Sequence, residues 1–325
     1  MRAVCRTSTF GVEQRDIPVP GVTPEHVLIK ISACGINPGD KAWIAGAFPE
    51  IPVSQHDVCG ATASGVVVDI GEGVPREYLG RKVAVYRSLK ASQDCVGAWC
   101  EMARMHYQTC VPLPDDCDEI DYAAALVSNV TAHVFLEQIV EAGHKAVVCT
   151  AGNSATGRSL LGVCHARSFP IISLVRNEAG KTALSDLGAL NVLVTADADF
   201  DAQFAALSAK LATTAMFDGV GGRLLGRVAK MLPQGSTAYC YGFLAGGELV
   251  DFPSSLLLMK SLTLTSFSVL RPLVRDVETL KRILSGLQPI IGMLHFKILP
   301  GKTFRLERAA EALQWQGPGK AVLRP

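Results

Sequence analysis

No apolar run in the 325-residue chain reaches membrane-spanning length; the longest are strand-sized and broken by polar residues or glycine. Spanning helices and a membrane partner are therefore not expected. The N-terminus, MRAVCRTSTFGVEQRD, lacks the long apolar core of a signal peptide, so a cytoplasmic location is expected. Net charge is only +1, with both signs dispersed. That leaves no basic face for a polyanion and argues against nucleic acid as a partner. Among the ten cysteines no pair has CxxC spacing, and no Cys/His group is spaced like a structural zinc site. Buried free thiols in a reducing compartment are the expectation. Internal repeats, low-complexity tracts and long linkers are also missing. What is present is a composition of 49% hydrophobic and 19% charged residues, which suits a well-packed globular protein rather than a disordered one. The length suits two domains.

Up to about residue 113, short β runs alternate with Gly and Pro. HVLIKISACGI, ATASGVVVDIG, RKVAVYR and AWCEMARM carry β-branched residues between turn signals and read as strands of a small β-rich domain. Pro112 and Pro114 mark a switch to a helix that begins near Asp121. From Lys145 the rhythm is strand, helix, strand, helix. KAVVCTA, PIISLVR, NVLVTA, TAMFDGV and STAYCYGF read as strands, with helices beginning near Ser154, Ala179, Asp199 and Gly222. Such alternation predicts a parallel, doubly wound sheet. Beyond Pro272, two helical segments and the closing strand AVLRP break the alternation, so the tail is expected to rejoin the first domain.

The stretch from Lys145 to Arg176 carries chemistry. An apolar strand, a tight turn of small residues, a helix and a second strand make the unit that lays a dinucleotide pyrophosphate across a helix N-terminus. Free N–H groups and the helix dipole favour anions there. The turn runs Ala151, Gly152, Asn153, Ser154, Ala155, Thr156, Gly157. A full glycine fingerprint places Gly where this chain has Ser154. Serine is small, caps the helix and can donate to a phosphate, while Gly157 keeps the helix close to the sheet. The same heptapeptide also reads as an ordinary βα turn with a Ser cap, and the adjacent Arg158 as a solvated charge. At the end of the second strand an acidic residue would hold a ribose 2′-OH and mark NAD. Arg176 and Asn177 stand there instead, with Lys181 one turn into the next helix. The planar fork of a guanidinium suits a 2′-phosphate, so NADPH is the expected cofactor. The alternative is a solvated Arg176 partnered by Glu178.

A series of short motifs follows one order along the chain: GINPGD at 35–40, GATASG at 60–65, GAWCEM at 97–102, NVTAHVFL at 129–136, GNSATGR at 152–158, FDGVGG at 217–222, YGFLAGG at 241–247 and GKAVL at 319–323. In these the chain resembles the medium-chain dehydrogenase/reductase superfamily, on its zinc-free quinone oxidoreductase and enoyl-thioester reductase side, nearly end to end. The resemblance implies an α/β fold in which a Rossmann doubly wound parallel sheet, residues 116–272, is inserted into a chaperonin-10-like β-rich catalytic domain made from residues 1–115 and 273–325. It implies an active site in the cleft between them, and a homodimer. It adds Gly219, Tyr241 and Gly242 to a cofactor-binding set that already holds Gly152, Asn153, Ser154, Ala155, Thr156, Gly157, Arg158, Arg176 and Lys181.

Zinc-dependent relatives carry a Cys where this chain has Asn37 and a His-Glu pair where it has Ala61 and Thr62. His56 and Asp57 offer another alignment of that pair, disfavoured because Asn37 supplies no thiolate. No metal is expected. The cofactor then carries the hydride chemistry, and the protein orients the reactants and stabilises the developing anion. By resemblance Asn37 lies near the nicotinamide ribose or the substrate carbonyl, Thr131 near the nicotinamide, and Asp40 braces the loop. Read alone, Asn37 is an Asn-Pro turn residue and Thr131 a mid-helix Thr bonded back to a carbonyl. Phe48 stands where relatives that reduce enoyl thioesters usually carry a Tyr. Losing that hydroxyl costs on the order of 10²-fold in a reaction that relies on it, which favours quinone reduction. Trp43 and Phe48 also read as an aromatic wall for a flat substrate, or as simple loop packing. The expected function is an NADPH-dependent, metal-free oxidoreductase acting on a small molecule, a quinone or other activated carbonyl-conjugated alkene. A 2-enoyl-thioester reductase, and a nucleotide-binding sensor or structural protein with weak catalysis, are the alternatives.

Overall fold

A computed structural model describes residues 1–47, 55–86, 97–269 and 277–325. The chain divides into two compact units, Met1–Val130 with Leu270–Pro325, and Thr131–Val269. Residues 116–130 thus fall with the first unit. The physical reason is local packing: Ser64 Oγ donates to the Glu119 carbonyl at 2.6 Å, and a Cβ on Gly35 would overlap Ala124.

In the first unit β1 (Arg2–Arg6) and β2 (Val12–Asp16) pair antiparallel. Sequence reading misses this pair because its hold is non-local. Val4 N–H donates to the Trp99 carbonyl at 2.8 Å, and Arg2 N–H to Glu101 Oε2 at 2.7 Å. The four expected strands form as β3 (His26–Gly35), β4 (Thr62–Ile70), β5 (Lys82–Tyr86) and β6 (Met102–His106), followed by β7 (Cys110–Pro112). The GATASG and GAWCEM motifs are bound by packing: Gly60 takes φ +94°, and a Cβ there would lie 2.1 Å from Trp99 Cδ1.

The second unit holds β8 (Val147–Cys149), β9 (Ile171–Val175), β10 (Val192–Val194), β11 (Ala215–Asp218), β12 (Thr237–Cys240) and β13 (Thr263–Ser266). All their pairings are parallel. The order β10-β9-β8-β11-β12-β13 is the doubly wound 3-2-1-4-5-6 order, which reverses direction between β8 and β11. Helices Ala155–Ala166, Glu178–Ser185, Phe200–Leu211 and Gly222–Met231 fill the crossovers. Val148, Ile172, Leu174, Phe204, Met216 and Val228 lock them to the sheet, each such burial stabilising by about 1.5–3 kcal/mol. Strand β13 gave no sequence signal: its four residues are all exposed at the sheet edge.

The tail contains helix Val277–Leu287, strands β14 (Pro300–Arg305) and β15 (Lys320–Arg324), and a short helix Ala309–Leu313. Strand β15 lies between β14 and β3, setting Val322 opposite Gly35. The fold is a Rossmann doubly wound sheet inserted, in sequence, into a β-rich unit made from both ends of the chain. Among the described residues no helix is long and apolar enough to cross a membrane.

Candidate functional site

The turn after β8 is shaped by short-range contacts. Ala151 takes φ +51°, a left-handed conformation costly for a residue with a Cβ. Gly152 N–H ties the turn to the Leu174 carbonyl at 2.8 Å. Ser154 is the N-cap of helix Ala155–Ala166, its Oγ accepting from Gly157 N–H at 3.1 Å. A Cβ on Gly157 would lie 2.4 Å from the Gly152 carbonyl oxygen, so that position admits only glycine without a backbone shift.

Across the switch point, Thr150 Oγ donates to Asp218 Oδ1 at 2.6 Å and accepts from Gly219 N–H at 2.9 Å, while Gly221 N–H donates to Asp218 Oδ2 at 2.8 Å. Burial pushes the Asp218 carboxyl up, and these donors oppose the rise. Tyr241 stacks on Phe217 at 3.9 Å, and Phe217 on Phe135 at 3.8 Å. Burial pushes the Tyr241 hydroxyl well above its ordinary range, only partly opposed by the nearby Ser154 side chain, so it stays neutral. A Cβ on Gly219 would lie 2.5 Å from that hydroxyl, and one on Gly242 2.8 Å from the Gly219 carbonyl oxygen. Gly219, Tyr241 and Gly242 therefore meet the first turn.

These elements border a crevice of about 780 Å³ lined by Ala151–Ser154, Leu174–Asn177, Gly180, Arg223, Arg227, Leu244 and Ala245, among others. Three guanidinium groups face it. Arg227 is committed to Asp201 at 2.7 Å and to the Thr195 carbonyl at 2.8 Å. Arg223 is paired with Glu248 at 3.2 Å. Arg176 is exposed and forms no ion pair among the described residues. Glu178 turns instead to Lys181, at 3.5 Å, and Lys181 is not among the residues lining the crevice. Asn153 Oδ1 is a buried acceptor with no partner among the described residues. Arg158 is half-buried rather than fully solvated; its Nε has no partner there, and burial pulls it below its ordinary value. Thr150, Asp218, Arg223 and Arg227 escaped sequence reading. A signal existed for Asp218, the acidic residue closing the FDGVGG strand.

These residues fit a phosphorylated dinucleotide. Unspent positive charge, an orphaned acceptor and a turn with no room for side chains meet at the carboxyl ends of the strands.

The residues matched to substrate chemistry lie elsewhere. Thr131 is buried in helix Ala125–Glu141, at the residue where the second unit begins. Asn37, in the first unit, is 1% exposed. Its Nδ2 donates to Thr62 Oγ1 at 3.1 Å, and its Oδ1 accepts from Lys320 Nζ at 2.8 Å. Asp40 braces the loop through Asn37 N–H at 2.8 Å and Ala61 N–H at 2.9 Å. Trp43 is buried under Arg6, whose guanidinium carbon lies 4.9 Å from the ring, so its side chain is core packing rather than an open wall. Phe48 lies outside the described residues.

Zinc does not fit this set. The positions matched to its site hold the Asn37 amide, the Ala61 methyl and the Thr62 hydroxyl; the amide and hydroxyl bond to each other, and an ammonium 2.8 Å from the amide oxygen repels a divalent cation. Among the described residues no group of three or more His, Cys, Asp or Glu side chains is placed to hold a metal ion.

Residues 23–115 match the alcohol dehydrogenase GroES-like domain. The chain is 26% identical to a quinone oxidoreductase of Rattus norvegicus over 207 residues, covering 62% of this chain and 60% of the rat protein. It is 23% identical to a mitochondrial enoyl-[acyl-carrier-protein] reductase of Yarrowia lipolytica over 273 residues, 80% of this chain and 70% of that protein. A mycobacterial protein solved in complex with NADPH superposes with TM-score 0.71 at 25% identity, covering 100% of both chains. These similarities are all to proteins of the medium-chain dehydrogenase/reductase kind, on the quinone oxidoreductase and enoyl-thioester reductase side that the sequence motifs resemble.

Proposed function

We propose that this protein is an NADPH-dependent, metal-independent oxidoreductase that transfers hydride to a quinone or another activated carbonyl-conjugated alkene. The observation that carries the reading is the crevice at the end of β8, where the Arg176 guanidinium, unpaired among the described residues, faces the same space as the capped turn. When bound, the nicotinamide would supply the hydride. The protein holds the pyrophosphate on the Gly152–Gly157 turn, grips a 2′-phosphate with Arg176, and keeps a neutral Tyr241 hydroxyl against Ser154. The names of the rat quinone oxidoreductase and the NADPH-bound mycobacterial protein support the same reading.

A 2-enoyl-thioester reductase is the second reading, favoured by the Ser154 turn and by a match to the Yarrowia reductase across 80% of this chain. The proposal extends to a cytoplasmic homodimer. Strand β13 is an exposed edge of its sheet, and Leu258 and Met259, in the short helix that precedes it, are 81% and 74% exposed.

Turnover of NADPH and NADH should be followed across quinones, enals, enones and enoyl thioesters. NADPH consumption fastest with a quinone is expected. A crotonyl thioester turned over as fast as the best quinone would reverse the order of the two readings. NADPH binding with no acceptor consumed would leave a nucleotide-binding sensor.

A further inference from the structure

Lys320 lies 283 residues from Asn37 in sequence, yet its Nζ reaches the Asn37 side chain. It comes from β15, which the register of β15 on β3 carries up to the GINPGD loop. The ammonium donates to three oxygens: Asn37 Oδ1 at 2.8 Å, the Ala124 carbonyl at 2.8 Å and Ser128 Oγ at 3.4 Å. Three donors thus meet three acceptors. Because Asn37 Nδ2 donates to Thr62, both ends of the amide are held and its flip is excluded.

We propose that Lys320 is a positioning residue: its ammonium is the resident cation of this cluster, fixes the Asn37 amide, and clips the start of helix Pro38–Ile44 to the first turn of helix Ala125–Glu141. Neutralising it releases Asn37 and slows reduction. Burial pulls Lys320 down from 10.5 to about 8, against the attraction of Asp40. The other charged groups on the adjoining 3-10 turn are engaged elsewhere, Glu119 with Lys82 at 4.0 Å and Asp121 with Lys297 at 3.1 Å. On β3, the Cys34 thiol is held neutral by burial. The cluster therefore loses its cation within a range of pH in which an exposed lysine stays charged.

The rate readout rests on the function proposed above; the spectroscopic one does not. In the wild-type protein, the Asn37 side-chain amide signals in ¹⁵N-resolved NMR should shift with a midpoint near pH 8. Signals that stay fixed through that range overturn the proposal. With the best acceptor, kcat should fall above about pH 8 in wild type, and Lys320→Arg, whose guanidinium does not titrate there, should lose that alkaline fall. Lys320→Met should lower kcat on the order of 10- to 100-fold, with the KM for NADPH unchanged because the cofactor turn belongs to the other unit. Wild-type kcat in Lys320→Met, or an alkaline fall persisting in Lys320→Arg, overturns it. If no acceptor is reduced, the proposed function fails, and the amide titration still decides the role of Lys320. If Lys320→Met does not fold, Lys320→Arg and the wild-type titration decide it.

Discussion

The crevice after β8 and the cluster around Asn37 treat their polar groups in opposite ways. Around Asn37 the amide, the Thr62 hydroxyl, the Lys320 ammonium and the Asp40 carboxylate bond to one another or to nearby backbone. At the crevice Asn153 Oδ1 and Arg176 remain unspent among the described residues. A buried polar atom left unpaired is costly, and an exposed guanidinium without a counter-ion is free to meet phosphate oxygens. The difference separates a surface built to receive an anion from a cluster built to hold its own members still.

Four substitutions test that contrast, beginning with the largest expected effect. Gly157→Val pushes a side chain onto the Gly152 carbonyl oxygen, where even a Cβ would lie at 2.4 Å. NADPH affinity should fall by about 100-fold or more, about 2.7 kcal/mol, in a fluorescence titration; near-normal binding would remove the turn from the site. Arg176→Ala should weaken NADPH by about 10- to 100-fold, as expected for charge-assisted phosphate contacts, and leave NADH unchanged. Equal losses for both cofactors would take the 2′-phosphate from Arg176.

Thr150→Val removes the 2.6 Å donor from a carboxyl whose pKa burial has already raised. A stability loss of about 1–3 kcal/mol is expected in denaturant titrations. The sign with pH follows from linkage: a folded carboxyl raised above its unfolded value costs stability as pH climbs through its titration. The loss should therefore be full at neutral pH and shrink as Asp218 protonates in acid. A deficit that grows on acidification would contradict the role given to Thr150. Lys181→Ala should matter least, changing NADPH affinity by less than about threefold, since an exposed pair of the Glu178 kind is worth about 0–1 kcal/mol. A loss as large as that of Arg176→Ala would bring Lys181 into the site.

Much of the cofactor half was legible because its rules act within a few residues. Ser154 caps the helix that begins beside it, Asn177 caps the next one through Gly180 N–H at 3.0 Å, and the alternation of strand and helix runs in chain order. Edge strands were less legible. Strand β13 is exposed on every residue and so carries no buried face for a pattern to mark, and β1 depends on Trp99 and Glu101 far along the chain.

By itself, then, the sequence determined the strand-helix alternation of a doubly wound sheet, the capped turn and the arginine at the end of β9, because hydrophobic period, capping and strand ends are local chemistry. Only the tertiary structure decided which distant groups meet. It set Thr150 against Asp218, placed Arg223 and Arg227 on the crevice wall, and brought Lys320 to Asn37. Such pairings depend on sheet register and crossover packing, and spacing along a chain carries no record of either.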